Sequence, residues 1–122
     1  YKGFVYTFDE TKDIAWLYLV SDMLITDYSS VMFDYSILNR PMLFFAYDLE
    51  DYKENLRGFY FDFVNDIPGP ISRDTDQLIK DIKEYNEDSW KEKYKNYHDK
   101  FNGIDDGHAS QKVIDVIKKV SR

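Results

Sequence analysis

Residues 23–47 read MLITDYSSVMFDYSILNRPMLFFAY and decide the fold. Uninterrupted apolar runs stand near both ends, at 23–26 and 42–46, as in strands that are covered on both faces of a parallel sheet. Between them Ser29 opens a helix, and the residue before Pro41 is biased away from helical conformation. The apolar stripe of that helix consists of Val31, Tyr35 and Leu38. Strand, helix and strand with short links predict a right-handed βαβ unit.

A second unit of the same kind precedes it. Residues 4–8 form a β-prone run, and the helix after them is expected to end near Ser21. The apolar spacing of that helix is carried by Ile14, Leu17 and Tyr18. We therefore predict an α/β fold with about three parallel strands, at 4–8, 23–26 and 42–46.

The second half of the chain has a helical pattern. Residues 48–58 predict a polar loop, residues 59–63 a short extended piece, and the Pro-Gly-Pro at 68–70 a firm break. Two capping boxes predict helices that begin near residues 75 and 90: Asp74 with Gln77, and Ser89 with Glu92. Three apolar stripes follow: Leu78, Ile82 and Tyr85; Trp90, Tyr94, Tyr97 and Phe101, expected in the core; and Val113, Ile117 and Val120 on a last helix.

Composition narrows the functional classes. The 122 residues are 43% hydrophobic and 18% aromatic, which is enough for a folded core. The chain has no cysteine, which excludes disulfides and thiolate metal sites, and the spacing of its histidines and carboxylates predicts no metal site. A net charge of −7 disfavours nucleic acid as a partner. No run approaches about 18 apolar residues, so we expect a soluble chain. The sequence has no Walker or GxGxxG glycine loop, and no cofactor is expected.

Three parallel strands make about half of an ordinary doubly wound sheet. We therefore expect residues 1–122 to be the second half of a nucleotide-binding α/β domain, with βα units in 1–72 and helices in 73–122. This half would pack against the missing half of its own domain. An independently folding three-stranded domain is the alternative.

The turn after the second predicted strand carries the chemistry. Asp27 closes the strand, and Ser29 and Ser30 open the next helix, whose first-turn N–H groups favour an anion. Asp34 follows Ser30 at i+4 and could accept hydrogen bonds from hydroxyl groups. On the residues alone, the simpler interpretation stays open: Ser29 only caps the helix, and Asp34 only stabilises its first turns.

Residues 21–35, SDMLITDYSSVMFDY, resemble the signature block of the CDP-glycerol glycerophosphotransferases, which build the poly(glycerol phosphate) of teichoic acids. The similarity continues through residues 40–45, 57–63 and 68–70, and more weakly at 105–110. The resemblance implies a GT-B fold with two Rossmann-like domains, of which the second binds most of the donor.

Ser29 and Ser30 match the family's serine pair that holds the donor phosphates, and Asp34 matches the acidic residue on the donor side. The family's catalytic histidines lie upstream. His98 and His108 do not stand in such a context, so no catalytic residue is expected here and this segment alone should be inactive. The resemblance further implies CDP-glycerol as donor, a lipid-linked acceptor bound by the missing N-terminal part, and a peripheral place on the cytoplasmic face of the membrane.

Three further residues are possible site members: Asp27 in the turn, Arg57, which could pair with phosphate or anchor a loop, and His108, which could instead cap the last helix. Two other functions remain as alternatives. One is the C-terminal domain of a nucleotide-sugar glycosyltransferase, and the other is a non-catalytic receiver-like or flavodoxin-like binding domain.

Overall fold

The computed structural model describes residues 2–8, 12–51 and 61–121. Three short parallel strands, β1 (Leu24–Thr26), β2 (Met42–Phe45) and β3 (Ile71–Ser72), form a sheet in the order β1-β2-β3. The register pairs Leu24 with Met42 and Phe44 with Ile71. The helices are α1 (Ala15–Val20), α2 (Val31–Ser36), α3 (Leu49–Asp51), α4 (Phe63–Asp66), α5 (Thr75–Lys83), α6 (Glu87–Phe101) and α7 (Ala109–Val120).

The predicted βαβ unit is confirmed by β1, α2 and β2. The strand predicted at 4–8 is wrong: residues 2–4 form a turn, and 5–8 have no regular structure. The side chains of Phe4 and Tyr6 are exposed, because no strand among the described residues pairs with this run. β-propensity needs a neighbouring strand to act on, so the apolar run by itself is not sufficient.

The third strand is instead β3, directly after the Pro-Gly-Pro segment. Proline cannot donate a ladder hydrogen bond, but its carbonyl can accept one, and the Pro70 oxygen accepts from the Phe44 amide at 3.0 Å. Gly69 lies so close to β2 that a Cβ on it would stand 1.9 Å from the Met42 carbonyl oxygen. The break at 68–70 thus brings the chain alongside β2.

The helix boundaries confirm one of the two capping boxes. The Asp74 carboxylate accepts from the Gln77 amide at 2.8 Å, and α5 begins at Thr75 as predicted. The box at Ser89 is wrong, because Asn86 caps α6 three residues earlier and its side chain accepts from the Asp88 amide. Asparagine is as good a cap as serine, so the earlier cap extends the helix.

The extended piece predicted at 59–63 lies partly outside the described residues. Its last residue, Phe63, begins α4 behind an Asp62 cap, so the extended conformation is wrong there. In the predicted loop 48–58, Asp48 lies in a turn and residues 49–51 form the single helical turn α3, while residues 52–58 lie outside the described residues.

Aromatic side chains of α6 form much of the core. Tyr94 and Tyr97 are buried, as the stripe predicted, and Trp90 and Phe101 pack against them. The Tyr97 ring stacks on Phe33 of α2 with centroids 5.9 Å apart. The Tyr94 hydroxyl accepts from the Met42 amide at 2.9 Å, which joins α6 to the first residue of β2. Helix α6 therefore covers the sheet and α2 together.

Among the described helices, α1 and α7 have exposed apolar faces. On α1, the side chains of Trp16 and Val20 are 65% and 75% exposed. The helix predicted at the C-terminus is confirmed as α7, but its apolar stripe is exposed within the described residues. Among the described helices, none is long and apolar enough to cross a bilayer.

Candidate functional site at the carboxyl end of β1

The turn between β1 and α2, residues 27–30, lies where the sequence predicts a ligand site. β1 ends at Thr26, α2 begins at Val31, and the carboxyl end of the neighbouring β2 leads into Asp48 and α3. In open parallel sheets, ligands bind in the crevice outside the carboxyl ends of the strands. The local topology therefore puts this turn at a position suited to a ligand.

Asp27 fixes the shape of the turn from within. Its carboxylate accepts from the Ser29 amide at 2.8 Å, and the Ser29 hydroxyl oxygen accepts weakly from the Val31 amide at 3.5 Å. The Ser29 amide is thus already bonded to a carboxylate and is not available to an anion in this conformation. Asp27 acts here as a turn-forming residue.

Ser30 is the more accessible of the two serines. It occupies the N-cap position of α2, with φ −60° and no capping hydrogen bond from its side chain. Within the part of the chain that the structure describes, its exposed hydroxyl makes no hydrogen bond. A hydroxyl in this position can donate to an incoming acceptor without breaking an existing contact.

Asp34 faces a different part of the surface. Its side chain lines a groove of about 350 Å³ between α1 and α2, together with Tyr18 and Ile37 among others. Asp27 lines a separate shallow cleft with Thr26 and Phe45, and neither Ser29 nor Ser30 lines either space. The structure places the three predicted residues within one turn and the short helix after it, and of the spaces between described residues, Asp34 and Asp27 line different ones.

Tyr28 was not anticipated from the sequence. Its hydroxyl donates to the Asp48 carboxylate at 2.7 Å, and its ring lies 5.6 Å from the Phe63 ring. Burial and the bond to Asp48 raise the pKa of Tyr28 well above its usual range. The sequence shows a tyrosine between Asp27 and Ser29. Its hydrogen-bond partner, Asp48, lies 20 residues further along the chain, so no local pattern connects the two.

The remaining candidates lie elsewhere. Arg57 is outside the described residues. His108 precedes α7 with an exposed side chain, and its amide donates to the Asp106 carboxylate at 3.0 Å. None of the contacts of the described residues connects its ring to the turn at 27–30. His98 lies on α6 beside Asp99.

Comparison with known proteins decides the family. The family of CDP-glycerol:poly(glycerophosphate) glycerophosphotransferases matches residues 1–119. The chain belongs to this family. Among curated glycerophosphotransferase relatives, the teichoic acid poly(glycerol phosphate) polymerase of Bacillus subtilis is 46% identical over 121 residues, covering 98% of this chain and 16% of that protein.

Two further relatives extend the glycerophosphotransferase comparison. The teichoic acid poly(ribitol-phosphate) polymerase of Bacillus spizizenii is 44% identical, covering 96% of this chain and 18% of that protein. A solved structure of a variant of the wall teichoic acid polymerase TagF, soaked with CDPG, matches with a TM-score of 0.77 at 46% identity over 90% of this chain and 28% of that one. The predicted fold class, a partial Rossmann-like sheet followed by helices, is confirmed. The chain spans about one sixth of the length of these two curated relatives.

Proposed function

We propose that this chain is the donor-binding part of a glycerophosphotransferase that transfers glycerol phosphate from CDP-glycerol to a lipid-linked acceptor in teichoic acid synthesis. The observation that carries the proposal is the family match over residues 1–119, which includes the whole turn at 27–30. Because the relatives are several times longer, the rest of the activity is assigned to parts of the protein outside this chain.

In this proposal, Ser29 and Ser30 bind the donor phosphates and Asp34 accepts hydrogen bonds from the glycerol hydroxyls. The free Ser30 hydroxyl at the start of α2 supports the first role, since a phosphate there also meets the positive end of the helix. The role of Asp34 is supported by the family's motif, since its exposed carboxylate faces the groove between α1 and α2 in this conformation. Asp27 shapes the turn, and Arg57 and His108 stay possible contributors.

The reaction is a displacement at phosphorus. A hydroxyl oxygen of the acceptor forms a bond to the β-phosphorus of CDP-glycerol, the bond from that phosphorus to the bridging oxygen breaks, and CMP leaves. The proton of the attacking hydroxyl passes to a base outside this chain. We expect the isolated segment to convert no CDP-glycerol to CMP above the background of a mock-purified sample. Turnover above that background would contradict this division of roles.

The other partners follow from the same assignment. The lipid-linked acceptor binds outside residues 1–122, at the cytoplasmic face of the membrane, where the full-length protein is attached peripherally. Residues 1–122 form the C-terminal half of the donor domain and pack against its other half. The exposed apolar face of α1 supports this packing, because a helix with Trp16 and Val20 in solvent lacks a cover.

Donor titration of the full-length protein tests the site. Ser30→Ala should raise the Kd for CDP-glycerol about tenfold or more, because it removes a hydrogen bond to a charged phosphate. Asp34→Asn should weaken binding while leaving the melting temperature close to wild type. Ser89→Ala, an exposed serine in the first turn of α6, is the matched control and should bind like wild type.

The outcomes separate the alternatives. If both site variants bind CDP-glycerol like wild type, the serines only start the helix and the site assignment is wrong. Tighter binding of UDP-glucose than of CDP-glycerol would favour a nucleotide-sugar glycosyltransferase. Binding of acetyl phosphate alone would favour a receiver-like domain.

A further inference from the structure

A hydrogen bond joins the loops that follow β1 and β2 at the carboxyl edge of the sheet. The Tyr28 hydroxyl donates to the Asp48 carboxylate at 2.7 Å, and both side chains are half-buried. The two loops belong to different βα units, and the ladder between their strands ends at the pair of Thr26 and Phe44, two residues before Tyr28. This hydrogen bond connects a side chain of one loop directly to a side chain of the other.

Tyr28 connects the turn to other elements of the domain, whereas Asp27 stabilises the turn by a contact inside it. The Asp27 bond to the Ser29 amide sets the local shape of residues 27–29 but does not attach them to the rest of the domain. Tyr28 makes that attachment through its hydroxyl on Asp48 and through its ring against Phe63. Because its pKa is raised, Tyr28 stays protonated and remains a donor throughout the physiological range.

We propose that Tyr28 and Asp48 are positioning residues of the donor site: their hydrogen bond holds the turn that presents Ser29 and Ser30 in register with the carboxyl end of β2. This inference rests on the proposed function. Hydroxyl groups that recognise a phosphate must be held within about 0.5 Å, which a turn of four residues cannot ensure alone. The two loops then keep a fixed spacing while the donor enters and product leaves.

The test uses steady-state kinetics of the full-length protein with CDP-glycerol. Tyr28→Phe and Asp48→Ala should each raise the donor KM roughly 3- to 10-fold, as expected for one hydrogen bond, with a smaller change in kcat. Asp48→Asn keeps an acceptor oxygen facing Tyr28 and should stay near wild type. The double variant, Tyr28→Phe with Asp48→Ala, should be no worse than the poorer single variant.

Tyr97→Phe is the matched control, because the Tyr97 hydroxyl is buried on α6 without a hydrogen-bond partner among the described residues. It should leave the donor KM unchanged. A fall in melting temperature with unchanged KM in Tyr28→Phe would overturn the inference, as would additive effects in the double variant or a loss in Asp48→Asn equal to that in Asp48→Ala.

The result also separates this inference from the one on which it rests. If Ser30→Ala weakens CDP-glycerol binding but Tyr28→Phe does not, the donor site stands and the positioning role is wrong. If Ser30→Ala binds like wild type, the assignment of the turn fails first, whatever Tyr28→Phe does.

Discussion

At the scale of single residues, two tyrosines of α6 are both buried but make different contacts. The Tyr94 hydroxyl accepts from the Met42 amide and contacts the Tyr85 hydroxyl. Within the described residues, the Tyr97 hydroxyl has no hydrogen-bond partner. A buried polar group without a hydrogen bond lowers the free energy of unfolding. Removing one partner of a buried hydrogen bond lowers it too, because the other partner is then left unpaired.

Tyr94→Phe should therefore destabilise the protein by about 1–3 kcal/mol, because it leaves the Met42 amide buried without an acceptor. Tyr97→Phe should be neutral or slightly stabilising. Chemical denaturation of the full-length protein followed by tyrosine fluorescence measures both. Equal losses of stability in the two variants would contradict the distinction.

Gly69 is the second residue for which the structure gives a specific prediction of stability. A Cβ there would stand 1.9 Å from the Met42 carbonyl oxygen, and backbone atoms cannot give way as a flexible side chain can. Gly69→Ala should cost about 1–3 kcal/mol or more and separate β3 from β2. Gly107→Ala serves for comparison: a Cβ meets nothing within 4 Å there, and only its φ of 78° opposes the change. Amide exchange at Phe44 should quicken only in the first variant.

At the scale of elements, α5 depends on its N-cap. The Asp74 carboxylate accepts from the Gln77 amide at 2.8 Å, so Asp74→Ala should cost about 0.5–2 kcal/mol. Asp76→Ala, in the first turn of the same helix, should cost less, because better helix propensity offsets the lost interaction with the helix dipole. Thermal melts of the two variants should differ in this order, and the reverse order would contradict it.

The sequence predicts elements well where local signals are sufficient. The βαβ unit around α2 and the box at Asp74 are confirmed, since each depends on residues within a few positions of one another. The strand at 4–8 and the start of α6 are wrong for opposite reasons. The first requires a neighbouring strand that no local pattern reveals, and the second was preceded by an equally good cap at Asn86.

The candidate site, too, is predictable where it depends on neighbouring residues and unpredictable where it depends on contacts between distant ones. The position of the turn at 27–30 is predictable, because a strand, a polar turn and a helix follow one another along the chain. The role of Asp27 in closing the turn and the contact of Tyr28 with Asp48 were not foreseen. The first requires the backbone geometry, and the second requires two loops that become neighbours only after the sheet forms.

At the scale of the whole molecule, the apolar face of α1 predicts a partner within the same protein. In the full-length protein, Val20→Lys should lower the melting temperature by several degrees, because a charge would enter a packed interface. Glu84→Lys, a change of charge at the exposed end of α5, is the control and should have little effect. An unchanged melting temperature in Val20→Lys would show that this face stays in solvent.

The bond between Met42 and Tyr94 has a consequence for synthesis on the ribosome. The acceptor for the first amide of β2 lies 52 residues further along the chain, and β3 also follows β2. At translation rates of about 5–20 residues per second, the central strand must wait roughly 3 to 10 seconds for Tyr94 after its own residues have been made. For the first part of that interval, until β3 has been made, the run MLFF has neither its cover nor its second neighbour, and we expect the nascent chain to bind chaperones that shield apolar segments.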